Sequence, residues 1–223
     1  MSETLTWGEL DKDGAVQEAV AKVAGNSRAD FLRKAAVGGG TVLGGSALLG
    51  ALPSLAFGQA PPASDIAILN FALTLEYLEA AFYTEAVARG KFAGKPGRFA
   101  RVVGAHERTH VAFLKKALGS NAVAKPTFDF KNTTTNVGAF VSTAIVLEDT
   151  GVSAYLGQAG NIKTKAILAA AASIVTVEAR HAAWIREIRG NSSQPSPAPR
   201  AFDAGRTKAQ VLAAVTGTGF IVG

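Results

Sequence analysis

Cysteine is absent from the 223-residue chain. That excludes disulfides, thiolate zinc sites and cysteine nucleophiles, and it leaves the redox compartment open. Charge is sparse too: 18% of residues are charged, against 48% apolar. Such a composition can bury a sizeable core and excludes wholesale disorder. Aromatic residues make up only 8%, and the basic residues behind the formal charge of +6 are scattered. With no basic stripe and no stacking platform, the charge describes a generally basic surface rather than a nucleic-acid site. Only three histidines occur, and two of them stand in the same short motif.

What is present falls into three stretches. Residues 1–60 form an N-terminal extension, residues 64–190 read as a helical domain, and residues 191–223 as a linker and tail. In the extension, a basic patch from Ser27 to Lys34 precedes an uncharged, Gly-rich apolar run from Ala35 to Phe57. This order is that of an export signal. Ser27-Arg28-Ala29-Asp30-Phe31-Leu32-Arg33-Lys34 resembles a twin-arginine signal, with Ala29 where the second arginine belongs. Ala56-Phe57-Gly58 and Gly58-Gln59-Ala60 are candidate cleavage sites. The expected location is the periplasm or outside the cell. The run is also long enough for a membrane anchor, and a disordered or packed extension of a cytoplasmic protein is a further alternative. Leu10 to Val23 has the pattern of a short amphipathic helix.

Four helices are expected in the middle stretch. The first starts at Ser64-Asp65, residue types that cap helix N-termini, and ends near Gly90. Ile66, Leu69, Leu73 and Phe82 follow with helical spacing. The second runs from about Pro96 to Leu118, with Gly119 as its stop. The third runs from about Asn136 to Leu156. The fourth follows the Gly157 to Gly160 break and ends at Ile188-Arg189, closed by Gly190. Short links join the first and second helices, and the third and fourth, so each pair is expected to be antiparallel. The link from Ser120 to Thr135 is long enough to cross the bundle. Beyond the turn-rich Ser192 to Pro199, Thr207 to Val215 is expected to form a short helix. The apolar end Phe220-Ile221-Val222 is expected to pack back on the bundle.

The chemistry lies in a repeat. Glu107-Arg108-Thr109-His110 stands on the second helix and Glu178-Ala179-Arg180-His181 on the fourth. Residues three apart share a helix face, so each pair offers one carboxylate and one imidazole to the same point. The first helix carries Glu76 and Tyr83, the third Glu148 and Tyr155, each pair seven residues or about two turns apart. The chain is also uncharged from Ile167 to Val177 before Glu178 arrives on a face that should be core. An unpaired ionised carboxylate there costs several kcal/mol or more, and four of them repel one another. Two divalent cations balance four such charges, with neutral imidazoles completing the donors. Oxygen and imidazole donors suit iron or manganese.

These features resemble the ferritin-like superfamily, most closely its bacterial ferritin-like domain proteins, a group that includes desiccation-related proteins. The resemblance covers Ser64 to Gly190 and extends to Ala201-Phe202-Asp203. It implies an all-α four-helix bundle with one long crossover and a pair of iron ions, or alternatively manganese. It also implies Glu76 and Glu148 as single ligands, Glu107 and Glu178 as bridging carboxylates, and His110 and His181 as terminal imidazoles. Glu79, one turn beyond Glu76, competes with it for the first position. The implied activity is oxidation of Fe(II) or reaction with O₂ or peroxide, with Tyr83 and Tyr155 as catalytic candidates or as core residues bonded to a carboxylate. Three other readings remain. The bundle is a structural or stress-protective protein without turnover; it reacts with peroxide as a manganese catalase does; or His106-Glu107-Arg108-Thr109-His110 is a His-Glu-x-x-His zinc protease site. Glu79, Glu85 and Asp149 are alternatively surface carboxylates paired with Arg89, Arg180 or Arg186.

Overall fold

Helical periodicity in the middle of the chain becomes four long helices in the computed structural model, which describes residues 61–190 and 197–223. The signal-like extension, residues 1–60, and residues 191–196 of the linker lie outside the described residues. Helix α1 spans Ala63–Glu85 and continues through a π-helical turn, Ala86–Gly90. Helix α2 spans Gly94–Leu118, α3 Val137–Ala159, α4 Lys165–Arg189 and α5 Lys208–Thr218. By length and composition, α1, α3 and α4 are apolar enough to cross a membrane, but most of that surface in α1 and α3 faces the interior.

Contacts at the helix ends give the topology. Asp65 at the start of α1 lies against the start of α4, and the α2–α3 link leaves the same end. There Asn70 Nδ2 donates to the Asn121 carbonyl at 2.9 Å, and Val123 N–H donates to Asn70 Oδ1 at 2.9 Å. The link arrives at the opposite end, where Thr134 Oγ1 donates to Glu85 Oε1 at 2.6 Å. Asn70 to Glu85 is about 22 Å of helix, a length the intervening residues span easily when extended. Helices α1 and α4 therefore run one way, α2 and α3 the other. This is a four-helix bundle with one long crossover.

Two apolar clusters fill the bundle. One gathers Phe82, Tyr83, Phe99, Phe130 and Phe140, with Val211 and Val215 of α5 and Phe220 of the tail. The other gathers Leu69, Leu73, Phe113, Leu114, Tyr155, Ile167 and Ile174. The tail packs on the bundle through those α5 residues and through a short antiparallel bridge between Phe128 and Ile221. Asp129 N–H donates to the Phe220 carbonyl at 2.8 Å, and Val222 N–H to the Thr127 carbonyl at 3.0 Å. Helix α5 has a capping box, Thr207 with Gln210.

Two local readings are corrected. Asp65 does not cap its own helix, whose N-cap position is Pro62. Its buried carboxylate instead accepts the N–H groups of Lys163 at 3.0 Å and Thr164 at 2.8 Å, capping α4 from across the bundle. Burial pushes this carboxyl up, but those hydrogen bonds, with Ser64, outweigh it and hold it below its ordinary value of 3.8. The second correction concerns Gly157, which is not a helix stop: α3 continues to Ala159. A Cβ at Gly157 would stand 1.9 Å from the Arg206 carbonyl oxygen. The glycine serves close backbone approach, and Arg206 N–H donates to the Ser153 carbonyl at 2.8 Å.

Asp65→Ala is therefore expected to destabilise the fold by about 1–3 kcal/mol, since it leaves two backbone donors at the α4 terminus unpaired; urea unfolding measures this. Gly157→Ala in an open helix would stabilise by about 1 kcal/mol. Here it is expected to lower the melting temperature and speed hydrogen exchange at the Arg206 amide. Unchanged exchange there would contradict the close-approach role.

Candidate metal centre

Each helix of the bundle sends acidic or imidazole groups to one interior point. Glu76 comes from α1, Glu107 and His110 from α2, Glu148 from α3, and Glu178 and His181 from α4. The four carboxylates are wholly buried, and the two imidazoles nearly so. Their ligand atoms form two overlapping groups, in each of which all atoms lie within 4.8 Å of one another. One contains Glu76, Glu107, His110 and Glu178; the other contains Glu107, Glu148, Glu178 and His181. Glu107 and Glu178 belong to both. That sharing is the geometry of two adjacent cation positions with two carboxylates between them.

The contacts are close, yet several are not hydrogen bonds. His110 Nδ1 lies 3.2 Å from Glu76 Oε2, 3.1 Å from Glu107 Oε2 and 3.1 Å from Glu178 Oε1. His181 Nδ1 lies 3.0 Å from Glu107 Oε1 and 3.3 Å from Glu148 Oε2. Even so, Glu107 Oε1, Glu148 Oε2, both oxygens of Glu178 and His181 Nδ1 are buried without a hydrogen-bond partner. Buried polar atoms are almost always paired, because an orphan costs roughly 1–3 kcal/mol. Here five converge on one point, aimed past one another rather than at one another. The donors present, four carboxylates and two imidazoles through Nδ1, fit a pair of cations in charge and in chemistry.

Around this core, other groups hold the outward-facing atoms. The tyrosines cross between the two halves of the repeat. Tyr83 of α1 donates to Glu148 Oε1 of α3, and Tyr155 of α3 donates to Glu76 Oε1 of α1 at 2.6 Å. Each phenol leaves the second oxygen of its carboxylate turned inward. Behind His181, His106 Nδ1 lies 2.8 Å from His181 Nε2, with the two rings stacked. His106 belongs to neither ligand group. His106 instead faces His181, and the two ligand groups include His110 without it. When Nδ1 of His181 is a ligand, its Nε2–H donates to His106, which fixes ring and tautomer.

Spacing alone did not reveal what Glu79 does. Asp149 pairs with Arg186 and Glu85 with Arg89, as surface carboxylates do. Glu79 does not: it is buried beside the centre, at 3% exposure. The signal was present in its position three residues after Glu76, on the same helix face.

Without cations the concentrated negative charge draws protons in. Burial lifts Glu107 to about 7, with the nearby His110 and His181 imidazoles opposing this and the charges of Glu76 and Glu148 adding to it. Glu178 is pushed well up by burial and then by the Glu107 and Glu76 charges. For His181, burial pulls down, but Glu107 and Glu148 prevail and raise it to about 10. Glu76 goes the other way: burial raises it, but the His110 charge and hydrogen bond outweigh that and leave it low.

A pH dependence follows for the metal-stripped protein. Glu107 holds its proton in the fold above its ordinary 4.5, so its contribution falls from there to about pH 7. His181, raised from 6.5, gives stability that is present below that value and lost towards about pH 10. Both act in the same direction. Thermal melts of chelator-treated protein are expected to show a melting temperature that declines from about pH 5 to pH 9, and added Mn(II) is expected to flatten that decline. A melting temperature that rises across this range would contradict the placement of these charges.

Comparison with known proteins agrees with the architecture. A search of curated proteins finds no match to the chain. The family described as ferritin-like domain matches residues 64–191, the four helices of the bundle, but not Ala201-Phe202-Asp203 of the tail. Four helices with one long crossover, a buried carboxylate and imidazole cluster, and a match over more than half its length make this chain a member of the ferritin-like domain family.

Proposed function

We propose that the bundle binds two iron ions, with manganese as the alternative, and oxidises Fe(II) with O₂ or peroxide in the handling of iron or oxidative stress. The observation that carries this reading is the pair of overlapping ligand groups sharing Glu107 and Glu178. In it, Glu76 with His110 would hold one ion and Glu148 with His181 the other, with Glu107 and Glu178 available to both. A metal pair held there would supply the redox chemistry with O₂ or peroxide.

The protein's own part is positioning and exclusion. Apolar clusters on either side of the centre keep bulk water out, which strengthens every charge interaction inside. Tyr83 and Tyr155 hold Glu148 and Glu76 by their outer oxygens. Each phenol is one hydrogen bond from a ligand carboxylate, and in this reading it orients that carboxylate and holds a proton at its outer oxygen. Both phenols are held well above their ordinary 10.0, first by burial and then by the Glu148 and Glu76 charges respectively, so they remain protonated donors. Export through the signal-like extension would place this activity in the periplasm or outside the cell.

Aerobic addition of Fe(II) to purified protein tests the proposal. The wild-type chain is expected to take up about two irons and to oxidise Fe(II) faster than buffer does. Glu107→Ala and Glu178→Ala are each expected to lose binding at both positions, because each supplies both. Metal binding that raises the melting temperature without turnover would replace the oxidase by a structural, protective bundle. Release of O₂ from added peroxide would favour a catalase-like reaction.

A further inference from the structure

One ionisable group at the centre is not used by the arrangement described so far. Glu79 stands on α1, one turn beyond Glu76, and is 3% exposed. Among the described residues its carboxylate makes no hydrogen bond or ion pair. Gly151 of α3 lies opposite its carboxylate. A Cβ on Gly151 would stand 3.3 Å from Glu79 Oε1 and 3.3 Å from Glu178 Oε2. The two carboxylates thus flank the same bare stretch of backbone, and any larger residue in α3 would press on both. A carboxylate set among four others without a cationic partner is costly.

The geometry points to Glu79 as a fifth carboxylate of the metal centre, one that biases the site towards trivalent cations. The inference rests on the two-ion reading above and deepens it. Four ligand carboxylates already balance two divalent ions. Two trivalent ions bring two further positive charges, and Glu79 is the nearby group that offsets one of them. Coulomb attraction grows with the charge of the cation, so a carboxylate beside Glu178 favours a trivalent over a divalent ion at the same position.

The inference can be tested without turnover. Terbium(III) binding is followed by luminescence sensitised by Tyr83 and Tyr155, whose hydroxyls touch ligand carboxylates. Mn(II) binding is followed by calorimetry on the same protein. Glu79→Gln is expected to weaken terbium binding by about tenfold or more, in the range of groups that tune a metal without holding it, and to weaken Mn(II) binding by a smaller factor. Glu79→Asp, which keeps the charge, is expected to retain the wild-type ratio of the two affinities. Circular dichroism and retained Mn(II) binding show that the variants fold. If the wild-type chain binds neither ion, the metal-centre reading fails and this inference with it. If it binds Mn(II) but no terbium, or if Glu79→Gln shifts both ions equally or shifts neither, only the assignment of Glu79 is overturned.

Discussion

Four carboxylates in a dry interior are the constraint from which the rest of this bundle can be read. Left alone, such a group would cost several kcal/mol or more, and each neighbour of like charge adds to that. The fold does not relieve the cost by letting in solvent: Glu76, Glu107, Glu148 and Glu178 are fully buried. It surrounds them with donors instead, two phenols and two imidazoles, and leaves five atoms on the inner side without a partner. In the proposed function, a cation pair would complete the set. The apolar clusters on either side are then part of the same design, because they keep the local dielectric low and make the binding of cations strong.

The repeat in the sequence becomes a near-twofold arrangement in space. Helices α1 and α2 supply Glu76, Tyr83, Glu107 and His110; α3 and α4 supply Glu148, Tyr155, Glu178 and His181. Because α1 and α3 run in opposite directions, the Glu of one lies level with the Tyr of the other. Each tyrosine therefore bonds the carboxylate of the other half. Glu107 and Glu178, which belong to both ligand groups, join the two halves at the centre. Symmetry breaks at Glu79, whose counterpart three residues after Glu148 is Gly151. The space freed by that glycine is the space beside which Glu79 and Glu178 stand.

The helix ends are tied by groups from elsewhere in the chain. Asp65 of α1 caps α4, Asn70 holds the start of the crossover, and Thr134 at its far end bonds Glu85. The tail adds a further tie where Arg206 crosses Gly157, and another where it pairs with the crossover at Phe128. These contacts fix the axial offset between helices, and with it the level at which the ligands meet. A slip of one residue moves a side chain about 1.5 Å along the helix and 100° around it, enough to take a ligand out of its group.

Much of this was legible from residue order. The four helices, the long crossover and the pairing of Glu107 with His110 and of Glu178 with His181 depend on spacing within one helix. That spacing is dictated by 3.6 residues per turn whatever the surroundings. Other features depend on the rotation and offset of one helix against another: Asp65 capping α4, the tyrosines bonding across the bundle, His106 backing His181, Glu79 buried rather than on a solvated face, and Gly157 admitting the tail instead of ending α3. No local pattern encodes those relations. They are set when side chains from several helices pack together at once, and so the sequence by itself determined which residues share a helix face, while only the tertiary structure decided what each of them meets.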